Sequence, residues 1–261
     1  MKFRRDPSTA CGIEPIKSLP AAQRPTTAAY PIANDTFAIL QVQRAQGLLQ
    51  QAGISTTYSK IFPEEVPDFL PNADLVAAKK PDVVILGSTA LPTAVSFIKD
   101  FEQQHYSPKV MIAASGPDNA QAFPPAVGGV AVANGVMWPN AWYPGYPNAT
   151  SQAMVQEYVA KYHPQQGASG VPADVAEAYS VGQVTAQAVT ATHSLKGSKI
   201  IAYLHSNVTL ASVEGAVQFD SLGENVKAIA FIFQWQNGKQ VVVLPVGAPG
   251  AVPIMYPKPN W

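Results

Sequence analysis

Pro81-Asp82-Val83-Val84-Ile85-Leu86-Gly87 is a turn, then four apolar residues without alternation, then a glycine. A strand that is apolar on both faces is one covered on both sides, which is the habit of a parallel strand inside an α/β sheet. The flanking sequence repeats the unit. Upstream, Ala28-Ala29-Tyr30-Pro31-Ile32-Ala33 is a short apolar run, and Asn34-Asp35 supplies helix-capping side chains. Phe37, Leu40, Arg44, Leu48 and Gln51, widened by Ile39 and Leu49, trace a helical stripe that Gly53 ends. Ser55 to Phe62, rich in Thr and Tyr, reads as the next strand. Asp68 can cap a helix carrying Leu70, Leu75 and Val76, with Pro71 tolerated in its first turn. Downstream, Pro92 opens a helix with Val95, Ile98 and Phe101 inward, and Val110-Met111-Ile112-Ala113-Ala114 is a further strand. This alternation predicts an α/β fold with a doubly wound parallel sheet.

The texture differs on either side of that block. Residues 1–27 carry Pro7, Pro15, Pro20 and Pro25 without a period and read as an irregular leader. After Trp138, a loop containing Pro139, Pro144, Gly145 and Pro147 leads to two helical stripes with no parallel strand between them. Met154, Tyr158 and Tyr162, with Val155 and Val159, form one stripe; Val175, Ala178, Gly182, Ala186 and Val189 form the other. A short helix is expected from Ser198 to His205. Ala228 to Trp235 and Gln240 to Pro245 flank Asn237-Gly238, the dipeptide most favoured in a tight β-hairpin, and the Pro-rich tail from Gly247 reads as extended.

Composition excludes several classes of function. Of 261 residues 47% are apolar, enough for a core, while 17 basic and 17 acidic side chains cancel. That balance is not the basic footprint of a nucleic-acid binder. The longest apolar stretch, Phe123 to Trp138, is interrupted by Pro124, Pro125 and Asn134, so no membrane insertion is expected. Cys11 is the single cysteine, too few for a disulfide framework or a CxxC motif, and reads as an incidental surface thiol. Lys2, Arg4 and Arg5 are not followed by an apolar segment, so the chain as written carries no export signal. His105, His163, His193 and His205 lack HxxxH or HExxH spacing, and no metal and no cofactor is expected. Gly128-Gly129 reads as a turn before a strand, Glu64-Glu65 as a solvated pair, and no GxSxG elbow or phosphate loop occurs.

Six segments stand in an informative order: Tyr30-Pro31-Ile32-Ala33-Asn34-Asp35-Thr36-Phe37, Phe62-Pro63 with Asp68-Phe69, Lys80-Pro81-Asp82-Val83-Val84, Ala178-Tyr179-Ser180-Val181-Gly182-Gln183, Gly215-Ala216-Val217-Gln218-Phe219-Asp220, and Gln234-Trp235-Gln236-Asn237-Gly238-Lys239. In that order they resemble the branched-chain amino acid type of ABC-transporter substrate-binding protein, with the type I periplasmic-binding fold. The resemblance runs from about Thr26 to Pro245. It implies two doubly wound lobes joined by three crossovers, with this chain entering at the first strand of the second lobe. Residues 28–137 would begin the second lobe, 138–226 would be a partial first lobe made mainly of helices, and 227–261 would return to the second lobe and end in the tail. The first lobe would lack its sheet, and the two helical stripes would stay exposed.

The resemblance further implies a ligand held between lobes at the carboxyl ends of strands. Phe37 stands where the family often has an aromatic that covers the ligand; Ser88 and Thr89 after the third strand, and Ser115 after the fourth, are the other contact points. Read from their own surroundings, Phe37 is equally a core residue at a helix start, and the three hydroxyls read more simply as loop caps. Where the family often has an acid after the fourth strand, this sequence has Ser115, with Asp118 three residues later. The aromatics Trp138, Trp142, Tyr143 and Tyr146 form a cluster that either lines the cleft mouth or packs the hinge. The implied function is the solute-binding component of an importer, non-enzymatic, periplasmic or extracellular, with a small amino acid, amide or carboxylate as ligand and an ABC permease as partner. Without an export signal the same chain would stay in the cytoplasm. A Rossmann-like or flavodoxin-like enzyme with a loop-built site is the alternative that the βα alternation leaves open.

Overall fold

The computed structural model describes residues 19–65, 68–165 and 167–261; Cys11 and most of the expected leader lie outside them. The chain divides into two units, one running to Pro139 and resuming over Phe231–Trp261, the other spanning Asn140–Ala230.

The first unit alternates strand and helix from β1 to β5: β1 (Thr27–Ala33), α1 (Thr36–Gln51), β2 (Ser55–Phe62), α2 (Leu70–Ala77), β3 (Val83–Leu86), α3 (Leu91–Gln103), β4 (Val110–Ala113), the short helices α4 (Phe123–Val127) and α5 (Val130–Ala133), then β5 (Met137–Asn140). The strand order is β2-β1-β3-β4-β5-β8-β9, with β8 (Phe231–Gln236) and β9 (Lys239–Leu244) supplied by the returning segment. The first five pair in parallel, Val83–Leu86 lying residue for residue against Val110–Ala113. β8 joins β5 through Trp235 N–H to Val136 O (2.9 Å) and Gly135 N–H to Trp235 O (2.7 Å). β8 and β9 are antiparallel, closed at Asn237 and Gly238, both with positive φ as the hairpin motif requires.

Both faces of this sheet are covered, as its apolar strands demand. On one face Val42, Ala45 and Leu49 of α1 pack on Tyr30, Ile32, Val83, Ile85 and Ile112, with Val252, Ile254 and Tyr256 of the tail extending the cover. On the other a file of rings runs Phe62, Phe97, Phe101, Tyr106, successive centroids 5.8, 5.9 and 4.9 Å apart. Trp138 belongs to this unit, its ring 5.4 Å from that of Phe233. Gly128-Gly129 precedes not a strand but the helical turn α5, closed by Ala133 N–H to Gly129 O at 3.1 Å, and β5 starts only at Met137. At the amino ends of the strands Asp82 accepts from Thr26 N (2.7 Å), Thr26 Oγ1 (3.0 Å) and Lys109 Nζ (2.9 Å), so one carboxylate ties together the entrances of β1, β3 and β4.

The second unit contains α6 (Ala149–Tyr162), α7 (Ala173–Thr192), α8 (Gly197–Leu204) and an antiparallel hairpin, β6 (Leu210–Ser212) and β7 (Gly215–Val217). Asn148 caps α6 through Oδ1 and donates Nδ2 to Ser212 O (2.9 Å). Gln183 Oε1 accepts from Val213 N (2.8 Å), and Gln187 bonds the Ala211 backbone with both ends of its amide (2.7 and 3.2 Å). These bonds set the rotation of α7. Ala176, Ser180, Val184 and Ala188 are buried, whereas Ala178, Gly182 and Ala186 of the expected stripe are exposed together with Tyr179 and Val181. The α6 stripe differs: Met154 and Val155 are buried against Trp142, Val171, Ala176 and Val213, and only Tyr162 stands well exposed. Trp142 donates Nε1 to Ser151 Oγ at 2.8 Å inside this core, so the four aromatics expected as one cluster are divided between two cores. Among the described residues no helix is long and apolar enough to cross a membrane.

The Asp82 clamp has a pH signature. Burial raises its carboxyl pKa, but the Thr26 amide, Lys109 and the Thr26 hydroxyl outweigh this and hold it below the usual carboxylate range. Its stabilisation is therefore complete above about pH 4 and is lost as pH falls through the lower folded value. Asp82→Ala is expected to lower stability by about 2 kcal/mol at pH 7 in denaturant titrations, with the deficit shrinking in acid.

Candidate functional site

In an open α/β sheet the crevice for a ligand lies outside the carboxyl ends of the strands, where the strand order reverses. Here the reversal is at β1, which has β2 on one side and β3 on the other. The ladder continues past the strand ends: Ala33 N–H to Gly87 O (2.7 Å), Asn34 N–H to Phe62 O (2.8 Å) and Ala114 N–H to Leu86 O (2.9 Å). These bonds hold the segments after β1, β2, β3 and β4 side by side.

Gly87 sets how closely α1 approaches. A Cβ there would lie 2.7 Å from Val42 Cγ2 and 3.2 Å from Ile32 Cγ2, so only glycine lets the helix settle on the sheet end. The start of α1 is thereby fixed beside the β3 loop. Asp35 caps it, Oδ1 accepting from Phe37 N (2.7 Å) and Ala38 N (3.4 Å). Phe37 is 59% exposed, which removes the reading of it as a core residue and leaves an aromatic ring in solvent at the helix start. Thr89 Oγ1 donates to Glu64 Oε1 at 3.2 Å and also faces Asp35. Burial pushes the Asp35 carboxyl up, but the hydrogen bonds from Thr89 and from the Phe37 and Ala38 amides outweigh it and hold the group low. Two carboxylates therefore stand beside the Thr89 hydroxyl, and this corner of the site offers strong acceptors.

The remaining expected residues are used differently. Ser88 is 1% exposed, and its Oγ accepts from Ala90 N (3.1 Å), the loop-capping role at the entrance to α3. Asp118 turns back on its own loop, Oδ1 accepting from Gly116 N at 2.7 Å. That loop is held from behind by Trp235 Nε1 to Pro117 O (2.8 Å) and Gln240 Nε2 to Asp118 O (2.8 Å). Ser115 is half-buried, and its hydroxyl has no protein partner among the described residues. Phe37, Thr89 and Ser115 are thus the three whose side chains face outward or stand unspent.

Two further residues escaped the sequence reading. Glu64 and Glu65 are both exposed, as a solvated pair is, but the Glu64 carboxylate, two residues past the end of β2 at Phe62, also reaches Thr89. Glu214, at the β6–β7 turn in the second unit, is pushed up by burial with the Ser180 hydroxyl pulling the other way. Nothing in its local sequence marks it. In the second unit His163, His193 and His205 cap helix carboxyl ends, and in the first His105 follows α3. In the second unit an open groove of about 480 Å³ is lined by Ala186, Gln187, Thr190, Ala191, Tyr203, Thr209 and Leu210, without a charged side chain.

A family model described as periplasmic binding protein matches residues 21–240 of the chain. No curated protein matches it. Among solved structures, the chain is similar to a leucine-binding protein from Thermotoga maritima at 15% identity and a TM-score of 0.73, covering 91% of this chain and 64% of that one. It is similar to a solute-binding protein of an ABC transporter from R. palustris in complex with benzoate, at 18% identity and a TM-score of 0.69, covering 95% and 64%. An amino acid ABC transporter substrate-binding protein from Pseudomonas fluorescens Pf-5 gives 16% identity and a TM-score of 0.68, covering 94% and 67%. At these identities the likeness speaks to the fold. The chain spans about two thirds of the length of these structures, 64% of the first two.

The seating of α1 at Gly87 generates a paired expectation. Gly87→Ala forces Val42 aside and is expected to lower stability by about 1–3 kcal/mol, measured by denaturant unfolding. Gly47→Ala, on the same helix with open space around its Cβ, is expected to leave stability unchanged or raise it by up to about 1 kcal/mol.

Proposed function

This chain belongs to the periplasmic binding protein family, and on that premise we propose that it is the solute-binding component of an ABC importer, binding a small amino acid, amide or carboxylate at the carboxyl ends of β1, β3 and β4. The observation that carries this reading is the grouping after the strand ends: an exposed ring at Phe37, the Asp35 and Glu64 carboxylates about the Thr89 hydroxyl, and the Ser115 hydroxyl, which has no partner among the described residues. An aromatic surface beside a few polar groups is what a small polar metabolite needs, the ring excluding water and the polar groups fixing orientation.

The same geometry favours binding over turnover. Ser88, the hydroxyl an enzyme of this topology would present after β3, is buried and engaged with Ala90 N. Within the first unit, His105 follows α3 on the turn that leads to the amino end of β4, so it is not positioned as a base for that serine. A formal net charge of zero gives no strong field to concentrate a highly charged solute, which suits a neutral or zwitterionic ligand. Delivery to a membrane permease, on the outer side of the cytoplasmic membrane, follows from the proposed role.

Titration calorimetry with leucine, a small aliphatic amide and benzoate tests the proposal, two of these ligands being named for similar structures. One class is expected to bind, and Phe37→Ala to weaken that binding at least tenfold, a loss of about 1.4 kcal/mol. Unchanged affinity in both Phe37→Ala and Thr89→Val would move the site elsewhere.

A further inference from the structure

The last residues of the chain, from Pro245 to Trp261, form neither helix nor strand, yet they are stitched to the first unit along their length. Val252 N bonds Val242 O (2.9 Å), and the buried Gln234 side chain exchanges two hydrogen bonds with the Met255 backbone (2.8 and 3.0 Å). Beyond Met255 the attachments change character. Lys258 N bonds Lys109 O (2.8 Å), Trp261 Nε1 bonds Tyr106 O (2.6 Å), and Tyr256 donates its hydroxyl to Gln23 O. Between them sits the side chain of Lys258, 3% exposed.

That burial is unusual chemistry for a lysine. Its stem fills the space left by the absent Cβ of Gly135, a position 2.4 Å from Lys258 Cγ, at a backbone φ of +85°. Its Nζ lies 3.3 Å from the centroid of the Trp261 ring and donates to Pro259 O. Among the described residues no carboxylate pairs with it. The Lys109 ammonium on the turn before β4 is taken by Asp82 at 2.9 Å, and the Tyr106 hydroxyl by Pro81 O at 2.7 Å. The turn Asn134-Gly135-Val136 carries no titratable group, and the one other titratable side chain in residues 245–261, the Tyr256 phenol, donates to Gln23 O. A buried ammonium held only by a ring face and one carbonyl oxygen is poorly compensated for its lost hydration.

We propose that residues 256–261 are a pH-sensitive latch, docked while the Lys258 amine is neutral and released as that amine takes up a proton. Burial lowers this ammonium from the ordinary lysine range to about 7. Since the released lysine titrates near 10.5, the docked state binds fewer protons across the interval, and docking weakens as pH falls from about 10.5 through 7. Release stops at Met255, because the Gln234 bonds and the apolar contacts of Val252 and Ile254 involve no titrating group.

Hydrogen-exchange protection factors, corrected for intrinsic rates, test the latch on the whole chain. Between pH 9 and pH 6 the protection of the Lys258 amide and the Trp261 indole N–H is expected to fall by about 100-fold, while that of the Met255 amide holds. Lys258→Met, which keeps the stem and removes the proton site, is expected to abolish the dependence and leave the tail docked at both pH values. Independently, the Lys258 Cε chemical shift should titrate near 7 in the native protein. A Cε titration near 10.5, protection that does not vary with pH, or a pH dependence that survives in Lys258→Met overturns the proposal.

Discussion

Parallel strands cannot be joined by tight turns; each must be reached by a crossover that returns over a face of the sheet. That constraint organises the first unit. It forces β1, β3 and β4 to be apolar on both sides, demands cover on both faces, and sends the loops that carry side chains to one end. Because β2 and β3 depart from β1 in opposite directions, the loops after β1 and β3 leave a crevice between them. Gly87 and Asp35 then turn a topological opening into a defined one. The glycine lets α1 settle on the sheet, and the carboxylate that caps α1 also meets Thr89 from the neighbouring loop. The opposite ends of the strands are tied by Asp82, so fixed and variable ends are separated by the length of a strand.

The two units satisfy their cores in different ways. In the first, α1 and the irregular tail share one sheet face, the tail contributing Val252, Ile254 and Tyr256 where a helix would otherwise lie. A tail in that position must satisfy its backbone polar groups without a ladder, which explains why Gln234, fully buried, spends its amide on Met255 and the Gly135 carbonyl. In the second unit, Gln183 and Gln187 bond α7 to the β6–β7 hairpin. That choice leaves a face bearing Tyr179 and Val181 exposed.

Much of this was legible because it rests on local chemistry. The uninterrupted apolar run Val83–Leu86, the Asp35 cap and the Asn237-Gly238 turn each carry their meaning in a few adjacent residues. What depended on lateral neighbours was not legible. Glu64 acquires its partner only once β2 is known to lie beside β1, and the buried face of α7 is decided by two glutamine side chains bonding a hairpin. Trp138 and Trp142, four residues apart, enter different cores because the boundary between units falls at Pro139 and Asn140. Of the five residues that the family resemblance implies as ligand contacts, Ser88 and Asp118 spend their side chains on their own loops, a choice that depends on the folded loop and not on the residue type.

A solute-binding reading rests on this division of labour, a rigid sheet with one end devoted to a ring, two carboxylates and a hydroxyl. The most direct measurement is backbone NMR chemical-shift mapping of the chain during titration with the ligand it binds. The account predicts perturbations concentrated in residues 34–38, 63–65, 87–90 and 114–118. Perturbations centred on the α7–α8 groove or on the amino ends of the strands, with those four segments silent, would contradict it.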